Sequence, residues 1–269
     1  MLESHSPDRF NHAVYSSRTA IKRYERQAGL TEVERTILDH VRPEIIDKKL
    51  LDIGVGGGRT TASLLEISRD YTAIDYSAGM VATVKRRYEI ESVYCCDVRN
   101  MERFAANSFD FILFSFNGLD YIAHEDRLVA LREIHRVLKP GAVFVFSSHN
   151  REGDAAKLPW RQKDHRLSRA FVKRCIKVLV AMPRHWRMKR FETRQAQYAI
   201  LNDTALGFST LTYYIDVASQ IAQLEALGFE RILAYDISGR IVNEDSSSPW
   251  IHYLARKPVY AAVSKRVTT

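Results

Sequence analysis

Leu50-Leu51-Asp52-Ile53-Gly54-Val55-Gly56-Gly57-Gly58-Arg59-Thr60 joins a short apolar run carrying one acid to a glycine-rich turn. Glycine at positions 54, 56 and 58 lets the backbone turn tightly and approach a ligand where a Cβ would obstruct it. A dinucleotide-binding turn looks similar, but it wants Gly or Ala at the sixth position from the first glycine, and here that position is Arg59. Asp52, two residues before Gly54, is a poor neighbour for a pyrophosphate and a good one for an ammonium group. Alone, such a stretch is as readily a plain tight turn, so its surroundings decide.

Outward from the turn, strand and helix patterns alternate. The chain reads as a helix opened by the capping box Thr31-Glu32-Val33-Glu34 and stopped at Pro43, then strands at Leu50–Ile53, Tyr71–Ile74, Val93–Cys95, Phe111–Phe116 and Ala142–Ser147. Helices from about Thr60, from about Ser77 and over Asp126–Leu138 separate them. After Asn150 the rhythm breaks for about sixty basic and aromatic residues. It resumes with Tyr213-Tyr214-Ile215, a helix over Val217–Leu227 and strands at Arg231–Tyr235 and Trp250–Ala255. Alternation of this kind predicts a parallel sheet covered on both faces.

With these landmarks in place, Asp52-x-Gly54-x-Gly56-x-Gly58 resembles the first motif of the class I S-adenosylmethionine-dependent methyltransferases, over roughly residues 48–257. The resemblance implies a doubly wound, Rossmann-like, mostly parallel seven-stranded sheet and S-adenosylmethionine as cofactor. By position it assigns the ribose hydroxyls to Asp75, the adenine amino group to Asp97, the ring edge to the amide of Val98 and the adenine face to Met80. Asp52, Gly54, Gly56, Gly58, Tyr76, Phe116 and Asn117 complete the implied cofactor set. Glu133-Ile134-His135-Arg136-Val137-Leu138-Lys139-Pro140-Gly141 resembles the family's helix-to-strand connection. Taken singly, Asp75 or Asp97 is a plausible helix cap and Met80 a core filler; their joint spacing favours the cofactor.

The acceptor belongs beyond the carboxyl ends of the strands. His149, directly after the fifth strand, is the first choice for a general base because imidazole titrates near neutrality, and Asp120 is the alternative. Each also has a structural reading, as a hydrogen-bonded core group and as a turn residue. Tyr121, Asn150, Asn202, Tyr213 and Tyr214 are candidate acceptor contacts, with Asp203 beside them. Their alternative role is capping and packing. Tyr15 and Tyr24 stand where an N-terminal segment would close over the methionine end. An Asn-Pro-Pro-Tyr motif, typical of amino-group methylases, is absent after the fourth strand. That favours O-methylation of a small molecule, sugar or lipid-linked glycan, a substrate class also suggested by a weaker resemblance of 146–150, 202–205 and 211–215 to a bacterial polysaccharide-cluster subgroup. An RNA methyltransferase and a non-catalytic binder of the cofactor are the competing readings.

The bulk properties set the remaining bounds. Three cysteines, Cys95, Cys96 and Cys175, offer neither a disulfide framework nor a metal-ligand spacing, so no metal is expected. No run is long and apolar enough to span a membrane, and the polar Met1–Pro7 stretch lacks a signal peptide's apolar core, which leads us to expect a cytoplasmic protein. The net charge is +8, and Arg151–Arg194 holds fourteen Lys or Arg against four acids. Within that segment an amphipathic basic helix is expected, ended by Pro183. Its plain reading is a lid with the apolar side packed on the domain, and peripheral contact with an anionic membrane is the alternative. The chain thus divides into an N-terminal helical cap (1–47), a cofactor-binding core (48–150), a basic helical insertion (151–209) and a C-terminal return to the core (210–269), with the oligomeric state open.

Overall fold

The computed structural model describes residues 7–154, 156–161 and 168–259. Lys163, Asp164 and Arg166 of the basic segment lie outside the described residues. Three helices come first, α1 (Pro7–Tyr15), α2 (Arg18–Glu25) and α3 (Glu32–Ile45). Then β1 (Leu50–Ile53), α4 (Thr61–Ile67), β2 (Tyr71–Asp75), α5 (Ala78–Tyr88), β3 (Val93–Cys95), β4 (Phe109–Phe114), α6 (His124–Val137) and β5 (Leu138–Asn150) alternate. The strands β1 and β2 are buried throughout, as parallel strands covered on both faces must be. Val33, Ile37, Leu64 and Val84 of α3, α4 and α5 pack on one face of the sheet. Leu131, Ile134, Val217 and Leu224 pack on the other, from α6 and from α8 (Val217–Ala226).

The sheet has ten strands, which corrects the expected seven. Seven of them run in the order β3-β2-β1-β4-β5-β10-β9, with β9 (Glu230–Tyr235) and β10 (Trp250–Arg256) closing the far edge and β10 antiparallel to β5. The other three, β6 (Thr193–Arg194), β7 (Tyr198–Leu201) and β8 (Thr212–Ile215), form a small meander. It attaches where β5 outruns β4: β4 pairs no further than Phe146, and β8 takes His149 and Asn150. A long fifth strand with one free edge thus recruits the return of the insertion into the sheet.

Two helix ends differ from expectation. Pro43 lies inside α3, and Pro183 lies inside α7 (Arg169–Met188), which runs on to Met188. The strand expected to reach Phe116 stops at Phe114, because Phe116 and Asn117 both take left-handed backbone, with φ of 56° and 57°.

The basic helix α7 also departs from the plain reading of a lid with its apolar side packed inward. Its buried residues are Val178 and Met188, whereas Val172, Ile176, Leu179, Val180 and Trp186 are 50–76% exposed. Leu64→Ala, in the core, should therefore cost about 2–5 kcal/mol in denaturant unfolding. Leu179→Ala on α7 should stay within about 0.5 kcal/mol of the parent.

Candidate functional site

A cleft lies over the carboxyl ends of β1, β2 and β4. It encloses about 1150 Å³, counted out to its open mouth. The glycine turn forms its floor. Gly54 and Gly56 have φ of 64° and 54°, and a Cβ on Gly54 would come 2.8 Å from the Phe114 ring. Gly58 is used differently: its φ is 81° and its missing Cβ makes room for Tyr88, away from the cleft.

At the end of β2, the Asp75 carboxylate accepts the Gly56 N–H (2.9 Å) and the Ser77 N–H (2.8 Å). This ties the loop to the strand and leaves lone pairs directed at the cleft. Burial pushes the Asp75 carboxyl up to about 6, against the lowering effect of its two backbone donors. Tyr76, Met80, Asp97, Val98 and Phe116 line the same cleft, as does Tyr121, which sequence had placed with the acceptor. Arg99 engages Asp97 through its backbone N–H and its guanidinium and also pairs with Asp8 and Asp126. Burial raises the Asp97 carboxyl, but the Arg99 hydrogen bonds and charge outweigh it and hold it below the ordinary range.

Asp52 is placed otherwise than expected. Its carboxylate is buried beneath the turn and accepts from the Thr60 hydroxyl (2.7 Å) and the Tyr71 hydroxyl (2.9 Å), without lining the cleft. Burial moves it up to about 6. Two hydroxyl donors in a dry site give it a bracing role that spacing to a ligand did not reveal. Arg59 points back to Glu34 of the capping box, at 2.5 Å, and to the Ser115 hydroxyl at 2.8 Å, tying α3 to the turn.

The helices α1 and α2 close the cleft. Tyr15 and Tyr24 line it, as expected, and Tyr15 packs on Tyr121 with ring centroids 4.6 Å apart. Sequence reasoning missed Asp8, Asn11 and His12 on α1. His12 stacks on Tyr76 at 4.9 Å, and Asn11 donates to the carbonyls of Tyr121 and Leu211. The available signal was spacing, since residues 8, 12 and 15 share one helical face.

The candidates for the acceptor side divide into two groups. His149 and Asp120 meet: His149 Nδ1 lies 2.8 Å from Asp120 Oδ2, and the His149 N–H donates to the same oxygen at 2.6 Å. The other carboxylate oxygen accepts from Arg127 and from the Ser148 hydroxyl, both at 2.7 Å. Arg127, missed by sequence, is fully buried, donates to Gln220 Oε1 at 2.7 Å and lies over the Tyr213 ring. Because Asp120 is a carboxylate paired with Arg127, His149 Nδ1 is the donor in their contact, which directs Nε2 away from Asp120. That nitrogen sits one layer behind the cleft wall, 3.5 Å from Asn117 Nδ2. Rings of Tyr121, Tyr214 and Trp250 surround the His149 ring, centroid to centroid 5.1–6.5 Å.

The remaining candidates are held by the fold. Asn150 donates to the Ser246 and Ser248 carbonyls, Asn202 to those of Phe208 and Thr210. Asp203 accepts from the Tyr214 hydroxyl, and Tyr213 shares a hydrogen bond with His124 Nδ1. Asn117 is buried, its backbone N–H donates to the Ser147 hydroxyl, and its Oδ1 has no hydrogen-bond partner among the described residues. A strained, left-handed residue with an unmet buried acceptor is the kind of feature that concentrates at functional sites. Among the described residues no cluster of three His, Cys, Asp or Glu is arranged to hold a metal ion.

Replacing Asp75 with Ala should weaken binding of S-adenosylhomocysteine by about 1.5–3 kcal/mol, the scale of hydrogen bonds to a charged group. Because the Asp75 carboxyl lies near 6, ligand affinity in titration calorimetry should fall as the pH drops through that value and its acceptor oxygens take up a proton. Asp75→Asn should remove most of that pH dependence.

The family model described as a methyltransferase domain matches residues 51–146. Among curated proteins, the biotin biosynthesis bifunctional protein BioHC of Cellvibrio japonicus is 34% identical over 120 residues, 44% of this chain and 23% of that protein. A demethylmenaquinone methyltransferase of Paenarthrobacter aurescens is 33% identical over 119 residues, 44% of this chain and 46% of that protein. The chain thus spans less than half the length of these relatives. In fold it is similar to the Burkholderia thailandensis 1,6-didemethyltoxoflavin-N1-methyltransferase, solved with S-adenosylhomocysteine, at a TM-score of 0.58 and 15% identity over 93% of this chain and 88% of that one. Residues 51–146 thus match the methyltransferase-domain family model, and the chain shares its fold with that solved S-adenosylhomocysteine-bound methyltransferase.

Proposed function

We propose that this protein transfers a methyl group from S-adenosylmethionine to a hydroxyl of a small molecule, a sugar or a lipid-linked glycan, in the cytoplasm. The observation that carries the reading is the buried His149–Asp120 pair at the carboxyl end of β5, beside the turn that follows β4. The cleft suits the cofactor: the glycine turn admits close backbone approach, and Asp75 presents carboxylate oxygens where two hydroxyl donors would fit. When bound, S-adenosylmethionine supplies a methyl group on a sulfonium, a good leaving group.

What remains for the chain is alignment and proton removal. In this reading the turn at Phe116 and Asn117, the layer between His149 and the cleft, shifts on acceptor binding, and His149 Nε2 then takes the proton of the acceptor hydroxyl. Asp120 fixes the tautomer and stabilises the imidazolium that forms, and Arg127 and Ser148 hold Asp120 in place. This revises the expectation that Asp120 is itself an alternative base, since each of its oxygens already accepts two hydrogen bonds. The Tyr121 and Phe116 rings, which line the cleft, give the acceptor a flat, apolar surround, suited to an aromatic ring or the face of a sugar.

Incubation with labelled cofactor and a fractionated extract, followed by isolation of the labelled product, tests the reading. A methyl ether supports it, and a methylated amine or RNA, or no transfer to any fraction, rejects it. His149→Ala should lower kcat by about 10²–10⁴-fold with little change in cofactor affinity. Asp120→Asn should lower kcat as well, by withdrawing the acceptor that sets the tautomer. Equal losses of folding and of activity in His149→Ala would instead mark His149 as a structural group.

A further inference from the structure

The exposed half of α7 divides lengthwise into two stripes. At 100° per residue, Trp186, Leu179, Val172, Ile176 and Val180 follow one another round one side, with Val180 76% and Trp186 70% exposed. Lys173, Arg184 and Lys177 follow on the next side, all exposed, and the exposed Arg187 falls at the border of the two stripes, between Ile176 and Val180. From Arg169 to Phe191 there are eight Lys or Arg and no acid, a charge equal to the +8 of the whole chain. At the end of α7, Arg184, Arg187 and Arg190 border a groove with Phe10, Phe191 and Ser209.

We propose that α7 is a membrane-docking helix, lying in the plane of an anionic phospholipid bilayer with its aliphatic stripe among the acyl chains and its basic stripe against the headgroup phosphates. Charge decides between the occupants of this face. A second copy of the same stripe would bring two acid-free basic surfaces together. Nucleic acid would match the charge, but single strands are held by stacking platforms, and this stripe is four aliphatic residues with one Trp. Exposed aliphatic residues beside a row of cations match the boundary between acyl chains and anionic headgroups. Among the described residues no helix is long and apolar enough to cross a membrane, so docking here lies along the surface. Phe191, just past the end of α7, packs on Phe10 of α1 at 5.0 Å, so the docked surface adjoins the helix that closes the cleft. The inference rests on this surface alone and holds whatever the reaction is.

Vesicle flotation tests it with the full chain. Binding is expected to phosphatidylcholine vesicles carrying phosphatidylglycerol, weak binding to phosphatidylcholine alone, and release at high salt. The double change Lys173→Gln with Lys177→Gln should lower partitioning on the order of thirtyfold, at about 1 kcal/mol per cation near the surface. Ile176→Glu with Val180→Glu should abolish it, while circular dichroism and S-adenosylhomocysteine binding stay as in the parent, because both side chains face outward. Equal binding to both vesicle types, or unchanged binding of the Ile176 and Val180 variant, overturns the proposal. So does RNA binding that survives that variant while no vesicle is bound.

Discussion

The charge of Asp120 has no water to hold it. Its side chain is fully enclosed, and a carboxylate in that setting persists only if donors replace its hydration. Four do so: the Arg127 guanidinium, the Ser148 hydroxyl, and the backbone and ring N–H groups of His149. They converge from two elements on the turn that carries Asp120. Arg127 is delivered by α6, Ser148 and His149 by the last residues of β5, and Asp120 by the short turn after β4. Removing any one donor leaves a buried anion short of a partner. The arrangement therefore fixes the ends of two neighbouring strands and the start of a helix relative to one another, at the place where the cleft needs a defined wall.

The same constraint explains why β4 ends as it does. The backbone turns at Phe116 and Asn117 through two left-handed residues, which cost strain in any side chain other than glycine. A compact turn puts Asp120 under β5, and the pairing around Asp120 offsets that cost. The glycine turn after β1 is braced by a comparable device: Asp52 holds it from below through Thr60 and Tyr71, and Arg59 ties it to α3 through Glu34. Two buried acids thus set the two loops between which a cofactor and an acceptor would meet.

How much of this could be read in advance follows from the range of the interactions. The seven core strands and the helices between them are written in local periodicity, and the cofactor-side positions from Gly54 to Val98 in spacing along one strand-turn-helix unit after another. These depend on neighbours a few residues away. The Asp120–Arg127–His149 cluster depends on α6 and β5 arriving at one point, and nothing local marks Arg127 as buried. The strand pairing of residues 193–215 escaped for a related reason: it exists because β5 runs past β4, a difference in strand length that no single segment displays. Asn150 and Asn202, read as acceptor contacts, hold neighbouring loops because a buried amide with nearby free carbonyls is worth more to the fold there.

Asn202 also bears on the outer surface. His185 of α7 hydrogen-bonds its Oδ1, and Arg184 donates to the Gly207 carbonyl and the Ser209 hydroxyl, so the loop that Asn202 organises is the bracket on which α7 is mounted. A helix that buries few apolar side chains would otherwise roll to hide Ile176, Leu179 and Val180 against the domain, gaining about 25 cal/mol for each Å² covered. The polar bracket opposes that roll. It fixes which face of α7 looks inward and keeps the aliphatic and basic stripes turned away from the core, so the exposed surface is a product of the same buried hydrogen bonding that shapes the interior.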